Sequence, residues 1–455
     1  MHNDLKLFTE LAEFLLSEEE NNPVAIPIET GELYNRLDLE LTNEPLIGED
    51  FKNLLKEVIK STPKTASKTF FNQLFGGRIS KATLGDLLSV MLNNSMYTYK
   101  VAGPQVGVEK AILKAVGERI GYGVQSDGTI APGGSMCNYM AMLMARDVFD
   151  GSIRNNGITR KLIAYTSDTS HYSVTKNASF VGIGRHQVRA VNTNNRGEML
   201  AADLARQIED DISNGYHPFF VNATAGTTVL GAFDNIKDLS EVSKKHQLWL
   251  HLDGAYCGAV IFSKSYKHLV NGIELTDSFS FNAHKMLGTP LSCSILVTQN
   301  KEHLYQSFSN EADYLYQTSD DDFNLGKTSL QCGRRNDALK LWTLWKAVGS
   351  KGLETIVDHQ FHLAHVARDY ISKHSDYTLY SFEDSISVCF NYKKISAKVL
   401  CTKLYEHSKL MVGYGNFKGE TFVRLVTINT KVETNDILRF FKTIETFVDS
   451  ENLQS

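Results

Sequence analysis

The chain has 455 residues, of which 42% are hydrophobic, 22% charged and 10% aromatic, a globular composition long enough for two to four structural units. A net charge of −5 leaves no electrostatic footprint for DNA, RNA or an anionic membrane, so neither nucleic acid nor a bilayer is an expected partner. Six scattered cysteines (Cys137, Cys257, Cys293, Cys332, Cys389, Cys401) with no CxxC pair point to a reducing, cytoplasmic setting and away from a disulfide frame or zinc site.

The first segment spaces Leu5, Phe8, Leu11 and Leu15 helically among glutamates. It reads as a helix docked on the fold or on a second subunit, not as a signal peptide or a membrane-surface helix. Residues 1–100 continue as helices separated by polar turns. From 101 to 342 short apolar strands, expected at 162–165, 219–222, 248–252, 278–282 and 294–297, alternate with helical patterns such as 136–146 and 200–214. That alternation implies an α/β fold with a largely parallel sheet covered on both faces, in which ligands gather at the carboxyl ends of strands. The apolar stretch 248–262 is broken by His251 and Asp253 and cannot span a bilayer. Residues 317–327 (QTSDDDFNLGK) read as a mobile surface loop. From 343 to 455 the pattern becomes α+β, with a helix from Trp345, strands at 387–392 and 422–426, and a closing helix. Thr434 and Asn435 are placed to cap that helix, and Ile437, Phe441, Ile444 and Val448 to form its buried stripe.

Chemistry concentrates at the strand ends. Lys285, in Asn282-Ala283-His284-Lys285, comes directly after one strand, and a buried amine there has a lowered pKa and nucleophilic character. Taken alone it reads as one more solvated lysine. Asp253 ends a strand 32 residues earlier, a spacing that allows one crossover and places both residues on nearby strands of one sheet. An aspartate against a pyridinium nitrogen and a lysine in Schiff-base linkage are what pyridoxal 5'-phosphate requires. Gly134 and Ser135 open a helix, where free N–H groups and the dipole suit a phosphate, although a Gly-Gly-Ser turn is by itself only a turn. His171 could lie flat on a cofactor ring or be a satisfied edge histidine, and Thr227 and Thr228 could donate a hydroxyl or cap a turn.

In one order and at α/β spacing, these segments resemble the pyridoxal-phosphate group II amino-acid decarboxylases, and most of all the branch with glutamate, cysteine sulfinate and aspartate decarboxylases. The likeness rests on APGGS (131–135), SHYS (170–173), NATAGTT (222–228), HLDGAY (251–256), NAHK (282–285) and QCGRR (331–335) and runs from about Thr62 to the C-terminus. It implies the aspartate-aminotransferase-like fold type I of PLP-dependent transferases: a helical, dimer-forming segment 1–100, a PLP-binding domain 101–342 and a small α+β domain 343–455. By it Lys285 forms the Schiff base, Asp253 pairs with the pyridine nitrogen, His171 stacks on the ring and Ala255 packs on its other face. Gly134, Ser135 and Asn282 match phosphate contacts, and Thr228 matches a cofactor contact. Arg424 corresponds to the arginine that holds the substrate's distal acid, a task suited to a bidentate guanidinium, and Gln73 to a second substrate contact. Phe75, Ser95 and Tyr97 match the cysteine sulfinate and aspartate enzymes, where a bulky phenylalanine shortens the pocket. Tyr314 matches the residue that reprotonates the α-carbon, with Tyr316 two residues on as the alternative. Its loop covers the neighbouring subunit's site, which implies an obligate homodimer with active sites at the interface.

The expected reaction is α-decarboxylation of a short acidic L-amino acid, cysteine sulfinate to hypotaurine or aspartate to β-alanine. Glutamate, diaminobutyrate or aromatic decarboxylation, and redirected carbanion chemistry, are the alternatives. A non-haem iron site on His251-x-Asp253 would leave Lys285 and the phosphate turn without a purpose, and no metal is expected. A silent binding protein is at odds with intact Lys285, Asp253 and His171. Gly254 and Ala283 depart from the family's usual alanine and proline, changes expected to loosen the local backbone.

Overall fold

The structure, a computed structural model, describes residues 1–310, 314, 316 and 320–453. Contacts group it into two compact units, Arg78–Phe361 and a second made of Met1–Gly77 with His362–Ser455.

The first unit is built on a seven-stranded sheet. Its strands are β1 (Asp127–Ala131), β2 (Leu162–Ser167), β3 (Val188–Val191), β4 (His217–Thr224), β5 (Trp249–Gly254), β6 (Ser278–Asn282) and β7 (Ser294–Thr298). They lie in the order β1-β7-β6-β5-β4-β2-β3, with β7 antiparallel to both neighbours and the other pairs parallel. The five expected strands are all present. β1 and β3 were not legible in the sequence. β1 reads DGTIA, which resembles a turn, and β3 is a short edge strand whose half-exposed VRAV lacks an apolar run. The parallel strands β2 and β5, and β6 and β7 beside them, are buried along their whole length, as strands of a sheet covered on both faces must be. Helix Gly134–Phe149 packs Met140, Leu143 and Met144 against Leu162, Phe219 and Trp249. Phe219, Phe220, Phe279 and Phe281 are fully buried, each contributing roughly 1.5–3 kcal/mol of transfer free energy.

Two expectations need correction here. The helix expected from Trp345 begins at Ala338, where Asn336 accepts from the Leu339 N–H at 3.1 Å, and it breaks at Gly349, whose φ is +67°. The segment 317–327 is not a mobile loop throughout. Gln317, Thr318 and Ser319 lie outside the described residues, but Asn324, Leu325, Gly326 and Lys327 are buried, with Leu325 clustered against Met96, Ala102 and Val106.

In the second unit, β8 (Tyr377–Leu379), β9 (Ser387–Tyr392), β10 (Gly413–Phe417) and β11 (Glu420–Val426) form an antiparallel sheet in the order β10-β11-β9-β8. The closing helix Thr434–Ser450 buries the expected stripe of Ile437, Phe441, Ile444 and Val448 against this sheet. Its cap is Glu433 rather than Thr434 or Asn435. Glu433 and Asp436 form a reciprocal capping box, so the longer carboxylate one residue earlier takes the free N–H groups. Helix His2–Asn21 docks along helix Gly48–Ser61 through the Glu10–Lys52 ion pair at 2.6 Å and Lys56 over Phe14, and leaves Leu5 and Phe8 exposed. Among the described residues no helix is long and apolar enough to cross a membrane.

Candidate active site

Parallel strands that start together also end together, so the segments leaving them meet at one edge of the sheet. Here the carboxyl ends of β2, β4, β5 and β6 deliver His171, Thr228, Asp253 and Lys285, and the helix after β1 delivers Gly134 and Ser135. These residues line one cavity of about 180 Å³, together with Ala255, Asn282, Asn138, Tyr172, Thr224, Gly226 and Tyr256. Every cofactor residue expected from the sequence therefore belongs to a single cavity.

Asp253 is buried on β5, which pairs with β6 so that Asp253 lies opposite Ser280. Its Oδ1 accepts the Ala255 N–H at 2.9 Å and its Oδ2 accepts Nδ2–H of Asn138 at 2.6 Å. Lys285 lies one tight turn beyond β6, where its N–H bonds to the Asn282 carbonyl at 3.1 Å. Burial lowers the pKa of His171, with Lys285 adding to the effect and Asp253 opposing it, so the ring is held neutral between the two charges. Its Nδ1 accepts the Ser173 N–H at 3.2 Å, which leaves the remaining ring proton on Nε2.

The phosphate turn fits an anion. Gly134 begins the helix, and a Cβ there would lie 2.9 Å from that of Ala255 and 3.1 Å from the Asn282 amide, so glycine keeps this corner open. The Asn282 Oδ1 is buried with no hydrogen-bond partner among the described residues, as expected of a group arranged for a ligand. Glycine N–H groups at a helix start, an aspartate for a ring nitrogen, a lysine amine and a flat histidine form a donor set that matches pyridoxal phosphate. They do not match a metal. Both nitrogens of His251 are engaged, by Ser278 at 2.8 Å and Asn138 at 3.1 Å, and no metal-holding cluster occurs among the described residues.

The departures from the family pattern do not loosen the backbone. A Cβ on Gly254 would lie 2.6 Å from the Phe279 ring and 2.8 Å from the Ser280 carbonyl oxygen, so the Phe279 ring fills the space of the missing methyl. Ala283 donates its N–H to the Cys293 carbonyl at 2.9 Å, a bond that proline could not make.

The remaining expected residues are not gathered in that cavity. In the first unit, Ser95 Oγ accepts the Arg334 N–H at 3.3 Å, and Tyr97 stacks on Tyr316 with a 2.8 Å hydrogen bond between their hydroxyls. Tyr314 is 79% exposed and is not a lining residue of the cavity. In the second unit, Arg424 sits on β11 between Cys389 and Gly413 and donates to the Asn72 carbonyl at 2.9 Å, one residue before the exposed Gln73. Phe75 stands half-buried against Phe70.

Sequence reasoning missed Asn138. It lies four residues after Gly134, one helical turn on, and so faces the same way, which was the available signal.

Comparison with known proteins agrees with this geometry. The family model described as the pyridoxal-dependent decarboxylase conserved domain matches residues 31–393. The mouse cysteine sulfinic acid decarboxylase is 36% identical over 433 residues, covering 90% of this chain and 88% of that protein. The mouse acidic amino acid decarboxylase GADL1 is 36% identical over 430 residues, covering 89% and 78%. A crystal structure of mouse CSAD superposes with a TM-score of 0.92 at 33% identity over 98% of both chains.

Proposed function

Since the chain belongs to the pyridoxal-dependent decarboxylase family and is a PLP-dependent amino-acid decarboxylase of fold type I, we propose that its substrate is a short acidic L-amino acid, cysteine sulfinate or aspartate. The observation that carries the reading is the cavity that unites Lys285, Asp253, His171 and the Gly134 turn. It is supported by relatives named for cysteine sulfinic acid and for acidic amino acids.

Pyridoxal phosphate, when bound, supplies the electron sink that lets the α-carboxylate leave as carbon dioxide. Lys285 would hold the cofactor through its amine Nζ. Asp253 keeps the pyridine nitrogen protonated. His171 and Ala255, both lining the cavity, would cover the two faces of the ring. Gly134, Ser135 and Asn282 anchor the phosphate, and Thr228 adds a further cofactor contact. Arg424 and Gln73 take the substrate's distal acid, a task for which a planar guanidinium suits both carboxylate and sulfinate. Phe75, Ser95 and Tyr97 limit substrate length. Tyr314 returns a proton to the α-carbon.

The same reading makes the enzyme a homodimer in which Tyr314 serves the partner's site. Helix Ser80–Leu92 supports it. Leu84, Leu87, Leu88, Val90, Met91 and Leu92 are each at least 40% exposed, an apolar face that a second copy would cover. Sedimentation as a dimer, and as a monomer after Leu87→Asp, is the expected result.

The test of the activity is carbon dioxide and amine formation from cysteine sulfinate by the PLP-loaded protein, with Tyr314→Phe beside it. The variant is expected to keep the cofactor and lose turnover. An unchanged rate would remove Tyr314 from the mechanism.

A further inference from the structure

One chain of buried hydrogen bonds behind the cavity has a fixed direction. Trp249 Nε1–H can only donate, and it donates to Ser278 Oγ at 2.9 Å. Ser278 then has its own hydroxyl proton for His251 Nδ1, 2.8 Å away. A carboxylate only accepts, so Asn138 keeps Nδ2 toward Asp253 and Oδ1 toward His251 Nε2 at 3.1 Å, which puts the proton of this neutral ring on Nε2, with Ser280 no nearer than 3.5 Å. With its carbonyl oxygen committed to His251, the Asn138 amide must turn Nδ2 outward. One Nδ2 proton goes to Asp253 Oδ2 at 2.6 Å and the other to Ser173 Oγ at 3.1 Å. Ser173, having accepted, donates to His171 Nδ1 at 2.8 Å. Trp249, Ser278, His251, Asn138 and Ser173 are all buried, so the chain is shielded from water along its length.

Resting on the proposed reading of Asp253 and His171, we propose that Asn138, aimed by His251, is the positioning residue for both: one amide holds the carboxylate that meets the cofactor's ring nitrogen and the Ser173 hydroxyl that steadies the histidine covering the ring. Burial pushes the pKa of His251 down to about 4, which keeps it the neutral donor that this arrangement needs. Without Asn138 the carboxylate would lose its shortest hydrogen bond and His171 its indirect tie to Asp253.

The experiment titrates apo protein with pyridoxal phosphate and tracks the cofactor's visible absorbance in wild type, Asn138→Ala, His251→Leu and His251→Gln, with the melting temperature of each apo protein measured alongside. A hydrogen bond to a charged group is worth about 10–100-fold in an equilibrium constant, so Asn138→Ala and His251→Leu are expected to weaken cofactor uptake by about that factor and to move the absorption maximum. His251→Gln, whose amide can still donate to Asn138, is expected to bind close to wild type. Wild-type affinity and spectrum in Asn138→Ala or His251→Leu would overturn the proposal. So would a glutamine variant as weak as the leucine variant, because the ring would then act by packing alone. Should His251→Leu not fold, Ser278→Ala, which removes the donor to Nδ1 at little change in volume, takes its place under the same criterion. Absence of cofactor uptake by the wild type, or a visible absorbance that survives in Lys285→Ala, would instead overturn the reading of the site itself.

Discussion

The cofactor cavity and the sheet that carries Arg424 use polar groups in opposite ways. Behind the cavity, Asp253, Asn138, His251 and Ser278 are at most 4% exposed and hold one another through side chains, so removing one leaves another buried without its partner. On β11, Arg424 is half-buried and donates to the backbone carbonyl of Asn72, while Gln73 beside it is exposed. A backbone carbonyl is present whatever the neighbouring side chains are. A network that fixes its own members resists change, whereas a side chain steadied by backbone can be exchanged singly. Under the proposed roles, the first arrangement would suit the chemistry at the cofactor and the second the choice of substrate.

The largest effect that would break or sharpen this contrast is expected at Lys285. Lys285→Ala should lower carbon dioxide release by at least about 10³-fold with the melting temperature unchanged. A smaller loss would mean that the cavity is not where the chemistry occurs. Arg424→Met should cost about 10²-fold in kcat/KM, mostly through KM, because a charged hydrogen-bonded pair with the substrate is lost. The contrast between the two regions predicts that cofactor uptake by this variant is untouched, and a parallel loss of uptake would break it.

Smaller effects concern packing and charge. Gly254→Ala should destabilise by roughly 1–3 kcal/mol in urea unfolding, because the Phe279 ring already occupies the methyl's place. His251 titrates near 4 when folded and about 6.5 when unfolded, so between these values the unfolded state binds the extra proton and stability falls as the pH falls. From pH 7 to pH 5 the wild type should lose about 2 kcal/mol more than His251→Gln, with both measured by denaturant midpoint. Equal losses would mean that His251 is not buried as a neutral group.

Much of the fold, and the set of residues that meet in one cavity, could be read from the sequence, and the reason is geometric. A parallel strand buried on both faces is a visible apolar run, and the residue just past its end is pinned to one edge of the sheet, as with Asp253 at the end of β5 and Lys285 after β6. What was not legible depends on neighbours distant in sequence. β3 is recognisable only once β2 lies beside it. Asn138 gains its role from His251, 113 positions later in the chain. The segment 317–327 reads as a loop because its aspartates are polar, yet Leu325 finds a pocket formed by Met96, Ala102 and Val106. The capping of the last helix depended on a choice between adjacent residues that differ by about one methylene of reach.

The central claim is the substrate, and it is tested most directly by kcat/KM for carbon dioxide release from L-cysteine sulfinate, L-aspartate and L-glutamate with one preparation of PLP-loaded protein. The account predicts turnover of the two shorter acids with little on glutamate. A preference for glutamate would contradict the roles given to Phe75, Ser95 and Tyr97. Turnover of none of the three, with the cofactor bound at Lys285, would contradict the role given to Arg424 and direct the search to aromatic or basic amino acids.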